Sequence, residues 1–91
     1  MAEIVKGKTS TGFEYEIDKE IVDDWNFIER LARLEQNGSV SETINVIITM
    51  IGKDGYENLK KHCQTDTGRI PIKRLMNEYY EIMEENDITK N

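Results

Sequence analysis

The sequence is short of most groups that carry chemistry. It has one cysteine (Cys63), one histidine (His62) and one proline (Pro71) among 91 residues. A single cysteine excludes an intramolecular disulfide, a CxxC redox pair and a zinc site built on paired cysteines. It also fits a reducing compartment. The longest apolar concentration, Val46 to Ile51, is far too short to cross a bilayer. The opening MAEIVKGK lacks the apolar core of a secretory signal. Positive charge is in deficit as well: 12 Lys and Arg against 18 Asp and Glu leave a formal charge of −6. A field of that sign opposes any broad grip on a phosphate backbone. Together these deficits predict a soluble cytoplasmic protein that uses no cofactor and has neither nucleic acid nor membrane as its partner.

What is present is periodic. Phe13, Tyr15 and Ile17 alternate with Glu14 and Glu16, the pattern of a strand with one wet face. With Ile4 to Lys6 before it and TSTG between, residues 1–17 predict a β-hairpin. A lone hairpin is marginal in water, so helices must cover its apolar face.

Asp18 is a candidate N-cap for one helix running to Asn37-Gly38. Ile21, Trp25, Ile28 and Ala32 form one stripe on it, with Phe27, Leu31 and Leu34 on the neighbouring stripe. Ser39 and Glu42 have capping-box spacing. They open a second helix with a Val40, Ile44, Ile47, Ile48, Ile51 face, ended by Gly52. Val46 and Met50 lie off that face, so this helix is apolar nearly all round and central.

Asp54 and Glu57 repeat the device, with Tyr56, Leu59 and Cys63 turned inward. After the turn TDTG, Pro71 occupies the first position of a last helix. Ile72, Leu75, Met76, Tyr79, Ile82 and Met83 are its stripe. No internal repeat stands out. The expected fold is mainly α within the α+β class: an N-terminal β-hairpin packed on a compact bundle of about four helices. It is a single domain over 1–91, with the bundle at 18–85 and a frayed tail at 86–91.

No catalytic constellation emerges. His62 and Cys63 invite a base–nucleophile reading, but adjacent helix positions point about 100° apart. A cation near the helix C-terminus beside a small buried thiol accounts for them. Glu20, Asp23 and Asp24, and later Glu78, Glu81, Glu84 and Glu85, read as solvated carboxylates at a helix start or on a polar face. Neither a DxDxDG loop nor a second histidine makes a metal site of them.

GKTSTG contains the GKT of a phosphate-binding loop, without the glycine five positions earlier, where Ala2 stands, or the helix that must follow. Lys60, Lys61, Arg69, Lys73 and Arg74 cluster in sequence. They leave a helix-turn-helix reading of 56–83, a small DNA-binding regulator, as the alternative. Against it, the second helix turns acidic beyond Arg74.

Read together, KGKTSTGFEYEID, DDW at the head of a helix, YENLKKHCQTDTGRIPIKRL and an acidic amphipathic tail resemble the small tail assembly chaperones of long-tailed bacteriophages and prophages of Gram-positive hosts. The resemblance runs over nearly the whole chain. It implies a non-enzymatic protein of the host bacterial cytoplasm that binds the hydrophobic tape measure protein and recruits tail tube protein. It also implies a homo-oligomer. The family offers no catalytic residue to carry over. A structural tail subunit is a further alternative. Contact with an apolar helical client asks for exposed aromatic and methionine side chains. The candidates are Trp25 and Phe27 on the first helix and Tyr79, Tyr80 and Met83 on the last.

Overall fold

The computed structural model describes residues 3–88. Strand β1 (Ile4–Lys8) pairs antiparallel with β2 (Glu14–Asp18). The register sets Lys6 opposite Glu16 and Lys8 opposite Glu14 on the outer face, where opposite charges across the strands are favourable. The other face carries Tyr15 and Ile17, both buried, and the buried Phe13 stands just before it.

Helix α1 (Lys19–Val22) starts on Asp18, whose carboxylate accepts the Glu20 N–H at 3.0 Å. Helix α2 (Trp25–Asn37) ends on Gly38 in the left-handed region at φ 63°. The single helix expected over this stretch is therefore two. Val22 and Phe27 are both in the core. In an unbroken helix, five residues would place them about 140° apart. Asp23 and Asp24 absorb the correction, with Asp24 extended at ψ 138° as the N-cap of α2. The break turns Phe27, Leu31 and Leu34 inward. It leaves Trp25 facing out, 71% exposed, while Ile28 of the same stripe still packs against the core.

Helix α3 (Val40–Cys63) is two helical halves joined at Gly52, whose φ 83° and ψ 164° lie outside helical space. That backbone conformation is essentially restricted to glycine, so the stop expected at Gly52 is a sharp break. Ser39 caps the first half, its hydroxyl accepting the Glu42 N–H at 3.4 Å. The buried face is Val46, Ile47, Met50 and Ile51. It is rotated from the expected one, with Val40 at 75% exposure. Leu59 and Cys63 of the second half are fully buried. Helix α3 packs against β2, α2 and α4 and is the centre of the molecule.

Helix α4 (Ile72–Glu85) follows Pro71, which is the N-cap and not the first helical residue. Ile72 is exposed, so the buried stripe begins further along with Tyr79, Ile82 and Met83. The end of α4 does not fray at 86–88. Ile88 N–H donates to the Met83 carbonyl at 3.0 Å and Asp87 N–H to Glu84 at 3.2 Å, with Asp87 left-handed at φ 55°. This is the double bond of a Schellman motif, and Ile88 packs on the core. The rest of the expected frayed tail, 89–91, lies outside the described residues.

A four-residue repeat went unread in the sequence: TSTG (Thr9–Gly12) and TDTG (Thr65–Gly68) form the same loop. In the first, Thr9 N–H donates to Phe13 O at 2.9 Å and Gly12 N–H to Thr9 O at 3.0 Å. In the second, Thr65 N–H donates to Arg69 O at 2.8 Å and Gly68 N–H to Thr65 O at 2.9 Å. Each pair of threonine hydroxyls is 3.1 Å apart. Each glycine has positive φ, 93° and 84°, which is why glycine closes both loops.

Candidate functional site

The polar side chains of the molecule gather where the hairpin tip meets α4. Thr9 donates from Oγ1 to Glu78 Oε1 at 2.7 Å, and Thr11 donates to Glu78 Oε2 at 2.6 Å. Glu78 is 97% buried (3% exposed), so it does not belong to the solvated face expected for it. Both its oxygens are used by hydroxyls from 67 to 69 residues away. Because the one Thr11 proton goes to Glu78, His62 Nε2, 2.9 Å from Thr11 Oγ1, stands as the donor of that contact.

One turn further along α4, Glu81 accepts the Ser10 N–H and, at 2.9 Å, the Ser10 hydroxyl. The Ser10 backbone N–H and then its hydroxyl hold the Glu81 carboxyl below its usual range. That group therefore stabilises the fold above its unfolded pKa, and the contribution disappears as pH falls through the folded value. Tyr15 donates to Glu85 and accepts from Asn86 Nδ2 at 3.0 Å. Among the described residues, no buried side-chain nitrogen or oxygen lacks a partner.

These contacts fasten the hairpin tip to α3 and α4. The hydroxyls are committed to carboxylates, and the imidazole faces Thr11 and the Phe13 ring, 5.4 Å away. Cys63 turns instead into the core. Burial pushes its thiol up, Glu78 adds to the rise, and Arg74 opposes it. His62 and Cys63 thus serve different neighbours. Among the described residues, no group of three or more His, Cys, Asp or Glu is placed to hold a metal ion, and no helix is long and apolar enough to cross a membrane.

The basic cluster is partly committed too. Lys60 sits 3.1 Å from Glu57 and 5.0 Å above the Tyr56 ring. Arg74 donates to the Cys63 carbonyl at 3.3 Å, closing the end of α3.

Burial raises Tyr15 to about 12, helped by its bond to Glu85, and burial raises Tyr79 to about 12. Both phenols bind their proton more tightly folded than unfolded, where the reference is 10.0. The stabilisation is whole below pH 10 and is lost as pH climbs toward 12. After discounting for solvent screening, the two together lose about 2 kcal/mol over that interval. Urea titrations across it are expected to show the decline, and Tyr15→Phe to make it shallower.

The five residues expected to touch a partner divide sharply. Phe27, Tyr79 and Met83 are core, each under 5% exposed. Their side chains are spent on packing, which corrects their assignment to a client surface. Met50 belongs to the core as well, and Met76 is half-buried against that core. Trp25 and Tyr80, 71% and 59% exposed, are the two that face solvent. Tyr80 stands beside the buried Tyr79, ring centres 5.3 Å apart. Trp25 opens α2, next to a cleft of about 300 Å³ that includes Ile21, Phe27 and Arg30. Sequence periodicity places Glu78 at the edge of the apolar stripe, between Leu75 and Ile82, but a glutamate there reads as facing water, so the residue that ties the site together was missed.

Comparison with known proteins gives no match to a family model, to a curated protein or to a solved structure.

Proposed function

We propose that this chain is a non-enzymatic assembly chaperone of a long-tailed bacteriophage, which holds the tape measure protein soluble and brings tail tube protein to it. The reading rests on the resemblance in KTSTGFEYEI, DDW and TGRIPI. The observation that carries it in the molecule is the exposure of Trp25 and Tyr80. A small acidic body that leaves a tryptophan and a tyrosine in water offers the amphipathic anchors that dominate protein interfaces. Three groups of the kind a catalyst uses, His62, Glu78 and Glu81, are occupied in fastening the hairpin, His62 from α3 and the two glutamates from α4.

Co-expression with a phage tape measure protein tests the reading. The soluble fraction of the client is expected to rise severalfold with the native chain. It should fall back by about tenfold in affinity terms with Trp25→Ser and Tyr80→Ser combined, as for loss of interface anchors. A client equally insoluble with and without this chain overturns the proposal.

A further inference from the structure

The hairpin has a free edge, and its chemistry is specific. Thr9 N–H bonds Phe13 O, and Lys19 N–H bonds Glu3 O at 2.8 Å. These are the two ends of the β1–β2 ladder. In an antiparallel pair, bonded residues recur every second position. Val5 and Gly7 therefore face β2, while the N–H and C=O groups of Ile4, Lys6 and Lys8 point away from it. Among the described residues, no element other than β2 packs substantially on β1, since α3 lies against β2. Beside this edge, an open groove of about 730 Å³ is lined by Gly7 and Tyr15 of the hairpin and by Ile51, Asp54, Gly55 and Asn58 of α3. Lys6, Lys8, Glu14 and Glu16 are also at its wall.

We propose that β1 is a docking edge for an extended segment of a partner protein in which acidic and apolar residues alternate. The segment adds as a third strand by pairing with Ile4, Lys6 and Lys8, the mode known as strand addition. Its two rows of side chains meet different surroundings. The row on the outer face lies against exposed Lys6 and Lys8, whose other neighbours are Glu16 and Glu14. Carboxylates there give each lysine an acid on both sides. The inner row enters the groove against Tyr15, Ile51 and Gly55. That row is apolar or neutral, because Asp54 faces it.

Strand β2 already shows the pairing at work: Glu14, Tyr15, Glu16 and Ile17 alternate in this way opposite β1. A second copy of β1 is the poorer occupant. Pairing two copies through all three outward residues sets Lys6 against its own counterpart, and like charges directly opposite are destabilising. This site is separate from Trp25 and Tyr80, and it stands whether or not the partner is a tape measure protein.

The test uses the whole chain and two capped synthetic peptides, one alternating Glu and Val, the other Lys and Val. Amide hydrogen exchange and NMR shifts are read at Ile4, Lys6 and Lys8. The Glu/Val peptide is expected to slow exchange at these amides by about tenfold at saturation, and the Lys/Val peptide to leave them unchanged. Lys6→Pro removes an outward N–H without touching the β1–β2 bonds, and is expected to weaken binding about tenfold. Should that variant unfold, Lys6→Glu with Lys8→Glu decides instead, by transferring the preference to the Lys/Val peptide. Unchanged β1 amides with the acidic peptide overturn the proposal. So does an equal response to both peptides, or binding that survives both sets of substitutions.

Discussion

Truncating Glu78 to alanine is expected to destabilise the protein by about 3 kcal/mol, lowering its melting temperature by about 15 °C. The carboxylate receives two hydroxyl bonds, from Thr9 and Thr11. Bonds to a charged group contribute about 1.5–3 kcal/mol each, and abandoned buried partners add a desolvation cost. Thr9 is itself 4% exposed, so water replaces the lost acceptor poorly. Glu78→Gln keeps one acceptor and supplies a donor that a rotated hydroxyl accepts, so it costs about 1 kcal/mol. A cycle with Thr9→Ala separates the clamp from general packing. The two changes should couple by about 1–2 kcal/mol, read from urea unfolding midpoints. Strict additivity would mean that the clamp contributes nothing specific.

The second large effect comes from a residue without a side chain. Gly7 lies directly across from Tyr15, and a Cβ added there would sit 2.3 Å from both Cζ and Oη of that phenol. The ring has nowhere to retreat, because its hydroxyl is held by Glu85 and Asn86. Gly7→Val is therefore expected to cost about 3 kcal/mol, the upper end for overpacking. Adding Tyr15→Ala should make the pair clearly less than additive, since the clash and the phenol contacts are removed together. Calorimetric melting of the two single variants and the double variant reads this directly. Equal costs for Gly7→Val with and without Tyr15 would refute the contact.

How much was legible in advance follows the range of each interaction. The hairpin, the Ser39 cap, the Gly38 and Gly52 stops and the proline-led last helix rest on contacts within a few residues. Propensity and spacing display those. The fold class was readable for the same reason. The break at Asp23–Asp24 was not, because the regular stripe through Ile21, Trp25 and Ile28 continues across it. What overrides the stripe is the need to bury both Val22 and Phe27.

Candidate contacts fared according to the same rule. Periodicity ranks residues around a helix but does not say which stripe a neighbouring element will cover. So Phe27, Tyr79 and Met83 went to the core, and Trp25 and Tyr80 stayed outside. Glu78 was the least legible of all. Its partners lie at the other end of the chain, and a glutamate on an amphipathic helix ordinarily faces water.

The twin TxTG loops give this molecule an internal reference. Both close with the same backbone bonds and the same positive-φ glycine. The first is gripped by Glu78 and Glu81 from α4, whereas the second leans on Gln64, whose side-chain amide donates to Gly68 O at 3.2 Å. Any difference in how long the Gly12 and Gly68 amides resist solvent deuterium therefore compares long-range anchorage with local side-chain support on a shared backbone scaffold. One short polypeptide thus records, side by side, a bend that stands by its own geometry and a bend that the rest of the architecture keeps in place.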